Sequence, residues 1–193
     1  MNIGIFKLHG AAIGLGILSR ALPRGYFTEF FNGRRLPDTW EPPPFEIRGA
    51  TARLPDIIAW KEYLPLLSPG AIELFEEVAP GCAEYREFAL IRGRSYCAVN
   101  VLATEDIFDL GRSEWTPSLS GEVRNVKRYV FSTEDVPSPM FKLSNFLDGP
   151  IFVTRHLAQA IVDAGLLGFQ FRDPAVNETP LLFQGVNVNA FPD

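Results

Sequence analysis

Apolar and polar positions alternate along this chain in one arrangement used twice, most clearly from Gly149 to Phe171 (GPIFVTRHLAQAIVDAGLLGFQF). Ile151 to Val153 is a short apolar run, Thr154 is a helix-capping residue type, and Leu157, Ala160, Ile161 and Ala164 recur at the spacing of one buried helical face. Gly165 stands where a left-handed residue ends a helix, and Leu166 to Phe171 returns to a strand-like pattern. The pattern predicts strand, capped helix, Gly, strand. Leu64 to Phe88 (LPLLSPGAIELFEEVAPGCAEYREF) repeats it with Ser68 in the place of Thr154. Ser68 followed by Pro69 marks a helix start, since Ser accepts from the unpaired first-turn amides and Pro is pre-set for the first helical position. Leu67 and Ile72 are placed to staple that start. Ile72, Phe75 and either Val78 or Ala79 point inward, Glu73, Glu76 and Glu77 outward, and Pro80-Gly81 stops the helix. From Ala83 to Ile91 the pattern is a strand, with Tyr85 and Glu87 on one face and Glu84, Arg86 and Phe88 on the other.

Other segments predict further strands. Arg92-Gly93-Arg94 is a turn between two strand patterns, which predicts a hairpin. Tyr96 to Ala103 is apolar on both faces except at Asn100, as in a central strand covered on both sides, and a buried Asn100 needs partners. Phe45 to Arg48, Val123 to Ser132, Met140 to Leu143 and Leu181 to Val188 are also strand patterns, with a Pro137-Ser138-Pro139 turn among them. Between Arg24 and Arg48, Phe27, Phe30, Phe31 and Trp40 precede Pro42-Pro43-Pro44, and the proline run predicts an extended connector laid across the surface. The apolar stretch from Ala11 to Leu18 is compatible with a buried strand or helix, although Gly14 and Gly16 count against the helix. It is shorter than a bilayer-spanning segment and lacks a signal-cleavage pattern. Many strands with two well-marked helices predict an α+β fold. Its sheet is expected to be mostly antiparallel or mixed, and its helices to come from a duplicated strand, capped helix, strand unit. A parallel α/β sheet is the alternative. Residues 1–50 form an N-terminal segment packed on or leading into a domain of residues 51–193.

Composition adds bounds. The 193 residues are 47% hydrophobic and 21% charged, an ordinary globular balance. The net charge of −5 argues against a nucleic-acid partner, which needs clustered Lys and Arg. Residues 1–50 hold six Lys or Arg against four Asp or Glu, leaving twelve against nineteen in the remainder. Cys82 and Cys97 allow a disulfide between neighbouring strands, but two Cys in a chain of this size fit free thiols better, and so a cytoplasmic location.

Candidate chemistry is sparse. His9 and His156 are the only histidines, and neither has Cys or His at metal-ligand spacing. Nucleophile-elbow and phosphate-loop patterns are missing, and Glu105, Asp106 and Asp109 lack the spacing of a calcium loop. No catalytic residue, metal or cofactor is therefore assigned. The densest acidic cluster is Glu73, Glu76 and Glu77 with Glu84 and Glu87. It is either a solvated face or a docking surface for a basic protein.

Several segments carry a resemblance. Leu54-Pro55-Asp56-Ile57 stands ahead of Leu66-Leu67-Ser68. Tyr96 to Leu102 is followed by Asp106 to Asp109 and Ser113, then by Met140-Phe141-Lys142-Leu143. Ile151-Phe152-Val153-Thr154 closes with Ala164 to Phe171 (AGLLGFQF). Over about residues 50 to 175 this order resembles immunity protein family eleven of bacterial polymorphic toxin systems, long known only as a domain of unknown function. Thr154 stands where that family usually has Ser. The resemblance implies a small non-catalytic bacterial protein that binds a cognate toxin and neutralises it by occlusion; the charge balance and the short apolar runs add the expectation of no nucleic-acid and no membrane partner. The alternative is an enzyme using loop carboxylates or a thiol in a polar cleft that holds Asp106, Asp109 or Cys97.

Overall fold

A computed structural model describes residues 4–10, 15–19, 22–61, 64–119, 121–132 and 137–175. The strand expected from Leu181 to Val188 lies outside these residues, as do the first four residues of the Ala11 to Leu18 stretch. The elements in chain order begin with β1 (Ile5–Gly10), β2 (Leu15–Ser19), α1 (Tyr26–Phe30), β3 (Phe45–Gly49), β4 (Ile57–Lys61) and β5 (Leu64–Leu67). Next come α2 (Pro69–Val78), β6 (Ala83–Ile91), β7 (Arg94–Val101), β8 (Thr104–Glu105), β9 (Glu114–Pro117) and β10 (Val123–Arg128). The series ends with β11 (Met140–Leu143), β12 (Ile151–Thr154), α3 (Arg155–Asp163) and β13 (Phe169–Arg172).

Strands β13-β1-β12-β11-β8 form one sheet and β4-β5-β7-β6 a second, with β2-β3 and β9-β10 as two-stranded ribbons. Every pairing is antiparallel except that of β11 with β8. The class is α+β with mixed, mostly antiparallel sheets, and the parallel α/β alternative does not hold. Three helices among the described residues, only α2 and α3 longer than five residues, are too few to cross over between parallel strands throughout.

The two units share a topology. β5 and β6 both run antiparallel to β7, so they are parallel to each other with β7 between them. β12 and β13 stand in the same relation to β1. β1 is thus an interior strand of that sheet. A Cβ on Gly10, at its end, would come 3.0 Å from the Ala59 backbone nitrogen, which shows how closely β1 approaches β4.

The largest core draws on both units. Leu67, Ala71, Phe75 and Val99 from the first meet Ile151, Val153, Leu157, Ile161, Phe169 and Phe171 from the second. Ala158, rather than Ala160 or Ala164, completes the buried face of α3. Asp56 joins the units covalently distant in sequence: its Oδ1 accepts from Ser68 Oγ at 2.8 Å and its Oδ2 from the Leu167 amide at 2.8 Å. Arg94 closes an ion pair on the same carboxylate. Ser68 caps α2 as expected, its Oγ accepting from the Ala71 amide at 3.4 Å. Thr154 takes the corresponding extended backbone position, but its side chain makes no capping bond. The first amide of α3, that of Arg155, instead donates to the Gly4 carbonyl at 2.7 Å. Gly165 follows α3 at φ +64°, the left-handed exit that its lack of a Cβ permits.

β7 is central and covered on both faces. Val99 and Val101 face the helical core, while Tyr96 and Ala98 face a second core with Phe31, Leu36, Trp40, Trp60 and Phe88. The Arg24 to Arg48 segment is therefore not a surface connector: α1 and the residues after it form an aromatic layer on the sheet face opposite the α2 and α3 core. Phe27 and Trp60 stack edge to face at 5.2 Å, and Trp60 lies 4.5 Å from Phe88. A sheet with two apolar faces needs two covers, and aromatic side chains supply large buried area from few residues. A third cluster, with Phe108, Tyr129, Phe141 and Phe152, fills the far face of the other sheet beneath β9-β10. Arg92 and Gly93, both at positive φ, make the two-residue turn between β6 and β7. Among the described residues no helix is long and apolar enough to cross a membrane.

Candidate functional site

The acidic face predicted on the first long helix forms. Glu73, Glu76 and Glu77 are exposed on α2, which carries no Lys or Arg, because positions three and four apart share a helical face. Glu87 is exposed on β6, opposite Cys97 in register. Tyr85 lies on the same strand face as Glu87, where burial, then the Glu76 charge, raises its phenol above the usual range. Beyond Glu87, Leu90 is 72% exposed and lies with Glu87, Phe88 and Pro42 along a groove of about 420 Å3.

Glu84 does not belong to this surface. Strand alternation turns it to the opposite face, where its Oε1 accepts from the Leu36 amide and, at 2.7 Å, from Asn100 Nδ2. Asn100 Nδ2 also donates to the Arg34 carbonyl at 2.6 Å. Glu84 and Asn100 together pin the segment 34–36 against the sheet, which gives the Asn100 Nδ2 both of its acceptors and leaves Oδ1 without a hydrogen bond among the described residues.

The loop carboxylates are each engaged locally. Glu105 accepts from the Ser138 amide at 2.8 Å and Asp106 from Ser144 Oγ at 3.4 Å. Asp109 binds Arg112 through Nε at 2.5 Å and the backbone amide at 2.9 Å, which holds its carboxyl below the usual range. Among the described residues no three His, Cys, Asp or Glu groups could hold a metal ion. Cys82 and Cys97 are free thiols. Burial, then the Glu87 charge, pushes the Cys97 thiol up, away from the reactive thiolate.

A cleft that no sequence motif marked lies between α1, β10 and β11. Lys142 sits in β11, whose four residues are all buried, and is itself 2% exposed. Its Nζ donates to the Leu147 carbonyl at 2.6 Å and the Phe31 carbonyl at 3.4 Å. Burial lowers its pKa to about 8, with the Asp148 charge pulling the other way. Removing an ammonium from water costs several kcal/mol, and two neutral carbonyls return only part of that. Tyr26, Phe27, Phe31, Leu64, Lys61, Arg124 and Asp148 line the same cavity, of about 470 Å3. Lys61 Nζ lies 5.6 Å from the Phe27 ring centroid, a cation over an aromatic face. A wider groove of about 830 Å3 shares Thr28, Arg124 and Asp148 with this cavity and runs on to Trp115 and Asn145. None of Asp106, Asp109 or Cys97 lines either space. The one sequence signal was a lone lysine inside an apolar four-residue strand.

No family model matches the chain, and no curated protein matches it.

Proposed function

We propose that this protein is a cytoplasmic, non-catalytic immunity protein that binds a cognate bacterial toxin with a basic surface and neutralises it by occlusion. The observation that carries the reading is the acidic face of Glu73, Glu76 and Glu77 on α2, a helix without Lys or Arg, to which β6 adds the exposed Glu87 and Leu90. Like charge gathered on one face steers a basic partner and raises the association rate, and the exposed Leu90 next to Glu87 in one groove offers the complex an apolar anchor. The segments resembling immunity protein family eleven point the same way. The shared topology of the two strand, helix, strand units supports a further reading, that they are copies of one duplicated unit. Loop carboxylates and Cys97, on which an enzymatic alternative would draw, gain no such support, because none of Asp106, Asp109 and Cys97 lines the cleft or the groove that joins it.

The test is co-expression with the product of the adjacent open reading frame, scored by growth rescue and by co-purification. A tight stoichiometric complex is expected, with rescue lost in the triple variant Glu73→Lys, Glu76→Lys, Glu77→Lys while the fold persists. No complex and no toxicity from a neighbour would sink the reading.

A further inference from the structure

Neither the fold nor toxin binding accounts for the charge gathered around Lys142. We propose that the cavity between α1, β11 and β10 is a binding site for a small organic oxyanion, a carboxylate or phosphate monoester carried on a flat apolar body.

Three features select that chemistry. Lys142 presents a buried ammonium whose hydrogen bonds to Leu147 and Phe31 use two of its three donors, both on neutral carbonyls. An anion seated against it supplies the counter-charge at contact distance that a buried cation otherwise lacks. Lys61 and Arg124, both exposed where the cavity opens, have no carboxylate within ion-pair distance among the described residues, and Asp148 is the one acidic residue of the lining. Three cations against one carboxylate leave the site positive in a protein whose net charge is −5. The Arg124 guanidinium adds the planar fork that fits carboxylate and phosphate oxygens. Phe27 and Phe31 give the walls flat apolar surface, which sets the body of the ligand. A volume of about 470 Å3 is of the size that holds a small molecule.

The experiment is calorimetric titration of the full chain with phenyl phosphate, benzoate, inorganic phosphate and benzyl alcohol. Expected is one-to-one binding of phenyl phosphate or benzoate, the stronger of the two identifying ester or carboxylate. Inorganic phosphate should bind at least about tenfold more weakly, and benzyl alcohol not at all. Lys142→Met should abolish binding. Since that change also strips two carbonyls of their donor, Arg124→Ala and Lys61→Ala, both at exposed positions, provide an independent check, each weakening binding by about tenfold. The proposal fails if neither organic anion binds, if benzyl alcohol binds as well as benzoate, or if both surface variants leave the affinity unchanged. It needs no toxin, so its failure and that of the immunity reading are separable.

Discussion

The two strand, helix, strand units have one topology and two kinds of closure. In the first, the strand lying between β5 and β6 is β7, reached directly from β6 through the Arg92-Gly93 turn, and the helix is capped by its own Ser68. In the second, the intervening strand is β1, from the other end of the chain, and the first amide of α3 is satisfied by Gly4 at the start of that strand. Thr154 has the backbone of a cap without its hydrogen bond. One helix start is therefore settled within three residues, and the other waits for a contact across about 150. Equivalent topology does not imply equivalent local stability, because an amide bonded to a neighbouring hydroxyl keeps its partner when the rest of the chain opens, whereas one bonded to a distant carbonyl loses it.

The largest test of this contrast is to remove the joint. Asp56→Ala takes away the acceptor for Ser68 and Leu167 and leaves Arg94 unpaired, and urea denaturation should show a loss of about 3–5 kcal/mol. A sloped or two-step transition would mean that the units are uncoupled as well as weakened.

Acid should act on the second unit. Burial first, then the charges of Arg172 and Lys7, lower the pKa of His9 on β1 to about 4 from an ordinary 6.5. The unfolded chain binds that proton more readily, so stability rises with pH through this window and falls as pH drops from 6.5 towards 4. Denaturation at stepped pH should show a loss of roughly 2 kcal/mol, smaller in His9→Gln. Hydrogen exchange should place it in β1, β12 and β13 ahead of β6 and β7.

Cap deletions sharpen the comparison further. Ser68→Ala should cost about 1–2 kcal/mol, since it removes a cap and a buried bond to Asp56, and Thr154→Ala less than about 0.5 kcal/mol from its cap. Equal costs would overturn the distinction. Smallest of all, reversing Glu73, Glu76 and Glu77 on the solvated face of α2 should move stability by no more than about 0.5 kcal/mol. That variant is then a clean probe of binding.

The acidic helix face was legible because its spacing is a property of one helix: Glu73, Glu76 and Glu77 lie within five residues and the period of the helix aligns them. Glu84 was close in sequence to the same cluster, yet strand alternation turned it towards Leu36 and Asn100, 48 and 16 positions away. The cleft had no such local signature. Its cations come from β4, β10 and β11 and its aromatic wall from α1, and nothing in the spacing of Lys61, Arg124 and Lys142 brings them together.

The sequence by itself determined whatever is settled within a turn of helix or a hairpin: the start of α2 at Ser68-Pro69, the end of α3 at Gly165, the β6-β7 hairpin, the doubly covered β7 and the α+β class. These follow from backbone preference and from the periods of apolar side chains, which act over a few residues. Tertiary structure alone decided that β1 enters the sheet between β12 and β13, that the Arg24 to Arg48 segment becomes an aromatic cover, and that a lysine is buried beside a cavity. Each depends on which uncovered face or unpaired group remains once the other elements have packed. Such vacancies arise between segments far apart in the chain, so no local pattern encodes them.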